Sequence, residues 1–256
     1  LMKLLRFKMT NRLFSNTIYY TIISYMPSLM SLVTLPIISR ILLPEDYGKL
    51  ALIMSFYQFV VIGGSMAISL GVYKYYFDHN HSENRIYFST LNYLLFSVII
   101  IIFSVFYLFG DLIISFVYKS DIPFSPLFFI SLITSFFEIL RGTTMGFFKA
   151  EQKGKLLLIF SAISTFFRVS ISLTFLIVFN MGVYGILLSN LIASFIETML
   201  HFLYYRKLFA FVFDIQMVKK SLRFTIPLIP HGLGGYLFMY SDKIILDKYV
   251  SLSFIG

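Results

Sequence analysis

Seven apolar stretches of about twenty residues each run through this chain, with almost no charge inside them. They span approximately Asn16–Ile38, Leu50–Val72, Phe88–Phe109, Pro126–Phe148, Leu156–Phe179, Val183–Tyr205 and Phe224–Leu246. At about 1.5 Å per residue, a helix of that length crosses the roughly 30 Å hydrocarbon core of a bilayer. Inside hydrocarbon each backbone N–H and C=O must find a partner within the protein, which leaves helices or closed barrels. A barrel would read as short alternating segments, whereas these runs are continuous. The fold class that follows is an all-α polytopic membrane protein. With 58% hydrophobic and 13% charged residues, the chain is too apolar for a soluble domain of its size.

Residue usage narrows the chemistry. The absence of cysteine excludes disulfides, thiolate metal sites and a cysteine nucleophile. Without tryptophan, an aromatic belt at the headgroups has to come from the 18 tyrosines. The net charge of +9 would suit a nucleic-acid partner, but the charges sit between the spans, where membrane orientation accounts for them. We therefore expect no nucleic acid. The basic start, Lys3–Arg12, leads into a full-length span with no small-residue cleavage site, so it does not read as a cleavable signal.

Lys and Arg in the connectors orient the spans. The N-terminal arm (Lys3, Arg6, Lys8, Arg12) and the even connectors (Lys74 and Arg85; Lys149, Lys153 and Lys155; Arg206, Lys207, Lys219, Lys220 and Arg223) hold fourteen. The odd connectors hold Arg40, Lys49 and Lys119, which are three. This imbalance places the N-terminus and the even connectors in the cytoplasm. At an offset of 208 residues the chain also begins to repeat itself: Arg12 falls on Lys220, Arg40 on Lys248 and Gly48 on Gly256. Both copies carry a proline-bearing span (Pro27 and Pro36; Pro227 and Pro230), and the six intervening spans preserve its direction. The expected organisation is a cytoplasmic arm (1–15), a six-helix transmembrane lobe (16–205), a cytoplasmic inter-lobe loop (206–223) and the first span of an incomplete second, parallel-repeat lobe (224–256).

Polar residues within the spans mark candidate function. Arg168 lies about 20 Å from Lys155 and about 18 Å from Asn180 along its helix, beyond the reach of snorkelling. It should face a bundle interior or a watery cavity, either paired with an acid or serving an anionic cargo. Arg141 stands three residues after Glu138, so the two share a helix face as a self-neutralising pair, and Glu138 is also a candidate coupling site. Glu197 and His201, four apart, share a face as a proton relay or a structural pair. Asp242 and Lys243 read as anchors at the outer interface, and Gly63-Gly64 as a close-packing point. His79 and His81 are too loosely placed to be a metal site. No Walker loop, nucleotide fingerprint or nucleophile with paired acids occurs, so no cofactor is expected.

Several stretches carry a family likeness. Leu35-Pro36-Ile37-Ile38-Ser39-Arg40-Ile41-Leu42-Leu43-Pro44-Glu45-Asp46-Tyr47-Gly48 resembles the first-span signature of Wzx-type oligosaccharide flippases, the "polysaccharide biosynthesis proteins" of the multidrug/oligosaccharidyl-lipid/polysaccharide exporter superfamily. Gly71-Val72-Tyr73-Lys74-Tyr75-Tyr76-Phe77, Arg141-Gly142 with Lys149-Ala150-Glu151-Gln152-Lys153-Gly154-Lys155, and Ile226-Pro227-Leu228-Ile229-Pro230-His231 with Ser241-Asp242-Lys243 follow the same habit. The resemblance implies an alternating-access transporter, not an enzyme, in the plasma membrane. Its cargo would be an isoprenoid-pyrophosphate-linked oligosaccharide, and its partners membrane lipid and polysaccharide assembly proteins. Arg168 and Arg141 become the candidate substrate-binding residues, with Glu138, Glu197 and His201 for coupling or counter-charge. Because family members have two lobes, this polypeptide alone is expected not to support export. A cation-coupled drug exporter of the same superfamily and, from another class, a membrane polysaccharide polymerase are the alternatives. The short far-side connectors argue against the polymerase.

Overall fold

The computed structural model describes residues 2–255, with side chains from Phe14 to Ile255. The side chains of Lys3, Arg6, Lys8 and Arg12, and Gly256 with its place in the repeat, lie outside the described residues. Among those described, regular structure is helical throughout. The helices are α1 (Met2–Ile38), α2 (Pro44–Ser65), α3 (Ile68–Tyr75), α4 (His81–Val117), α5 (Phe129–Ala150), α6 (Gly154–Ile177), α7 (Gly182–Tyr205), α8 (Ile215–Thr225), α9 (Ile229–Leu246) and α10 (Leu252–Ile255).

Local chemistry sets several helix ends. Pro44 opens α2 with Glu45 and Asp46 in the first turn, where carboxylates oppose the helix dipole, and Lys49 pairs with Glu45 at 2.7 Å. Asn80 starts α4 through a reciprocal capping box with Glu83. Asp214 caps α8 by accepting the Gln216 and Met217 N–H groups. The second apolar stretch breaks after Ser65, where Met66 and Ala67 both take left-handed backbone angles, dividing α2 from α3.

Among the described residues, six stretches are long and apolar enough to cross a membrane: Phe14–Ile38, Pro44–Asp78, His81–Val117, Phe124–Ala150, Gly154–Ile177 and Gly182–Leu208. The seventh expected span differs. Residues 224–246 divide between the end of α8, a tight turn at Ile226–Leu228 and the 18-residue α9. Pro230, His231, three glycines and the Asp242-Lys243 pair dilute its apolar character, so it does not qualify among the six.

The core lies among α2, α3, α4, α5 and α7, around Phe88, Phe128, Phe147 and Phe148. Phe56 meets Phe106, Phe124 and Phe128 edge-on at 5.0–6.5 Å. Of the two adjoining glycines, Gly64 is the packing point: an added Cβ would lie 2.4 Å from Ile139, whereas one at Gly63 would meet open space. α9 packs on α2, and α8 on α3 and α4. The helix ends repeat the sequence offset: α9 ends 208 residues after α1, and α10 begins 208 residues after α2. α10 rests on the start of α2 so closely that a Cβ at Gly48 would stand 2.0 Å from the Leu252 carbonyl oxygen.

Candidate functional site

Four helices converge on a buried polar cluster. Arg141 on α5 is 8% exposed and donates to Glu138, one turn earlier, and to Glu197 on α7. The second Glu197 oxygen accepts from Ser161 on α6 at 2.9 Å, and Glu138 from the Tyr57 hydroxyl on α2 at 3.4 Å. The Thr144 hydroxyl lies 2.9 Å from both His201 Nδ1 and the Arg141 carbonyl, and its single proton serves one of the two at a time. Thr198 donates to the Phe137 carbonyl. The i, i+3 spacing of 138 and 141 and the run 197, 198, 201 bring these side chains onto the facing surfaces of α5 and α7.

One sequence expectation changes here. Glu197 and His201 share a face, as their spacing requires, but they are not hydrogen-bonded to each other: Glu197 binds Arg141 and Ser161, while His201 binds Thr144. Each bonds a different side chain of α5. Arg141 and Glu138 pair as their spacing predicts, and Glu197 adds a second carboxylate to the same guanidinium.

Arg168 on α6 stands apart. It has no ion pair or hydrogen bond among the described residues, and its Nε is buried without a partner. The side chain borders two cavities that also share Asn190. The smaller, about 70 Å³, is lined by Tyr57, Ser131, Thr134 and Ser194; the larger, about 220 Å³, by Ser31, Thr34, Thr165 and Ser189. A guanidinium offers five donors in a planar fork and stays charged when desolvated, so hydroxyls and an amide around it form a setting for an anion. Tyr57 faces the smaller cavity and also bonds Glu138, which sets the free guanidinium beside the neutralised cluster.

Sequence reasoning passed over Asn190, although an amide inside an apolar run was a visible signal. It also passed over Asp247, at the end of α9, which is 2% exposed. Its carboxylate accepts the Lys119 N–H at 2.6 Å, the Ser120 N–H at 3.3 Å and the Ser120 hydroxyl, clasping the α4–α5 connector. Lys119 Nζ adds a bond to the Lys248 carbonyl at 3.3 Å. The anchor pair lies nearby: Asp242 accepts the Lys243 N–H, and the Lys243 amine sits 5.4 Å from the Tyr240 ring.

Compared with known proteins, residues 13–256 match the family model described as "Polysaccharide biosynthesis protein". No curated protein and no solved structure matches the chain.

Proposed function

The chain belongs to the polysaccharide biosynthesis protein family, and we propose that it moves an isoprenoid-pyrophosphate-linked oligosaccharide from the cytoplasmic to the outer leaflet of the plasma membrane by alternating access. Family membership and six membrane-crossing helices fit a flippase or related transporter. The observation that carries the finer reading is Arg168: an intramembrane guanidinium without a carboxylate among the described residues, opening on cavities lined by Asn190, serines and threonines. A pyrophosphate matches that fork, and charge-assisted bonds to phosphate are strong where water is scarce.

The cation-coupled exporter is less well supported, because both intramembrane carboxylates of the cluster are occupied by Arg141 and leave no free anion there for a cationic cargo. In the proposed organisation residues 16–205 form one lobe, 206–223 the connector and 224 onward the start of a second lobe, with the N-terminus cytoplasmic. Coincident helix ends at the 208-residue offset and the seating of α9 on α2 support this division.

The test is to measure isoprenoid-pyrophosphate binding and membrane abundance together. Arg168→Ala should weaken binding by roughly ten- to a hundredfold, equivalent to about 1.5–3 kcal/mol, at normal abundance, with Arg168→Lys intermediate. Unchanged binding per molecule with reduced abundance would make Arg168 a structural residue and overturn the reading.

A further inference from the structure

The connector between α7 and α8 carries a feature that substrate transport does not use. After Leu208 the chain stays against α4 instead of leaving for water. Arg85 donates to the Phe209 carbonyl and Ser89 to that of Leu208, both at 3.2 Å, while Ser89 Oγ accepts the Ala210 N–H at 2.7 Å. Tyr93 then donates to the Ala210 carbonyl at 3.1 Å, and Thr90 Oγ1 accepts the Asp214 N–H at 3.1 Å. Ser89 is eight residues beyond the start of α4, so the connector is pinned about 12 Å along that helix. That position is level with the start of the apolar run Phe88–Phe109.

The pinned loop divides its side chains. Phe209 turns inward against Phe88, with ring centroids 5.1 Å apart. Phe211 is fully exposed, and Val212, Phe213 and Ile215 are also exposed, so the loop presents an apolar tip beside the start of that apolar run. The following α8 is moored by Val218, Ser221 and Thr225, with Ser221 bonded to Tyr87 at 2.7 Å. Lys219 and Arg223 lie on its exposed side, and Arg206 and Lys207 are exposed before the loop. Lys220 is engaged with Asp78 at 3.3 Å.

We propose that this connector is an anionic-phospholipid site: Phe211 and Phe213 enter the acyl boundary while Lys219, Arg223, Arg206 and Lys207 hold lipid phosphates. An apolar wedge rimmed by cations on a short amphipathic helix is the arrangement that binds at a charged bilayer interface. Charge complementarity selects the occupant, since no acidic residue interrupts Ile215–Thr225 and, among the described residues, its exposed Lys219 and Arg223 have no carboxylate partner.

The absence of native tryptophan supplies the test. Phe211→Trp, with Phe213→Trp as a second reporter, gives the full chain a single indole in vesicles of phosphatidylcholine and phosphatidylglycerol. Emission should be blue-shifted and quenched by acyl-brominated lipid, severalfold more when phosphatidylglycerol carries the bromine than when phosphatidylcholine does. Lys219→Gln with Arg223→Gln should reduce that preference, and adding Arg206→Gln with Lys207→Gln should abolish it, while quenching itself persists. Water-like emission without quenching from both reporters overturns membrane insertion. Equal quenching by the two brominated lipids in the parent overturns the phosphate site, and emission that changes with protein concentration instead of lipid would assign the tip to a second copy of the chain.

Discussion

The Arg141 guanidinium bridges from α5 to Glu197 on α7, and with Glu138 on its other side it sits between two carboxylates. Truncating it leaves the buried Glu197 and the half-buried Glu138 without a cation. Arg141→Ala is therefore expected to destabilise the bundle by about 3–5 kcal/mol and to lower membrane abundance. Thermal unfolding in detergent and quantification of membrane protein would check this. Arg168→Ala should leave both nearly unchanged, so the two arginines separate into a structural and a binding role. Equal loss of abundance in both variants would erase that distinction.

Asp247 predicts a second structural effect. Asp247→Ala orphans the Lys119 and Ser120 N–H groups, each costing about 1–3 kcal/mol where water cannot replace the carboxylate. Asp247→Asn keeps one carbonyl oxygen and should be milder. Melting temperatures ordered parent, Asn, Ala are the expected result; identical values would show that the clasp contributes nothing.

A matched pair of glycines tests the seat of α10. Gly48→Ala forces the added methyl into the Leu252 carbonyl, whereas Gly63→Ala meets nothing within 4 Å. Trypsin should cut after Lys248 faster in the Gly48 variant only, because α10 must lift from α2. Equal cleavage rates would show that α10 is held by other contacts.

Orientation follows from the basic connectors. The chain has no native cysteine, so Ser82→Cys gives one thiol in the first turn of α4, next to the connector that joins it to the preceding span. An impermeant reagent should reach it only from the cytoplasmic side. Labelling in intact cells would reverse the topology.

His79 makes stability depend on pH. It lies between spans against the Tyr87 ring, and burial, reinforced by Lys220, lowers its pKa below the ordinary histidine value of 6.5. The folded state thus binds fewer protons than the unfolded chain, and stability falls as pH drops through the ordinary value. His79→Gln should flatten the melting profile between pH 5 and 7, roughly the range in which histidine titrates; an unchanged slope would point to other groups.

Much of this was legible in the sequence, and the limits have physical causes. Membrane crossing is a property of a contiguous run, so hydropathy located the six spans to within a few residues at most ends. Glu138 and Arg141 were readable as a pair because their spacing lies on one helix. The partner of Glu197 was not, since which part of α5 faces α7 depends on how the helices pack. The same holds for Asp247, whose three donors come from a connector 127 and 128 positions away. Residues 224–246 looked like a continuous span because scattered leucines and isoleucines conceal the glycines and prolines that divide them.

Chain order gives the α5 ion pair a consequence for biogenesis. Glu138 and Arg141 leave the ribosome three residues apart and can enter the membrane already neutralised by each other. Glu197 is made 56 residues after Arg141, on a helix that meets α5 only when the later span arrives. Its carboxylate then meets a cation already in place, alongside the Thr144–His201 and Thr198–Phe137 bonds that join the same two helices.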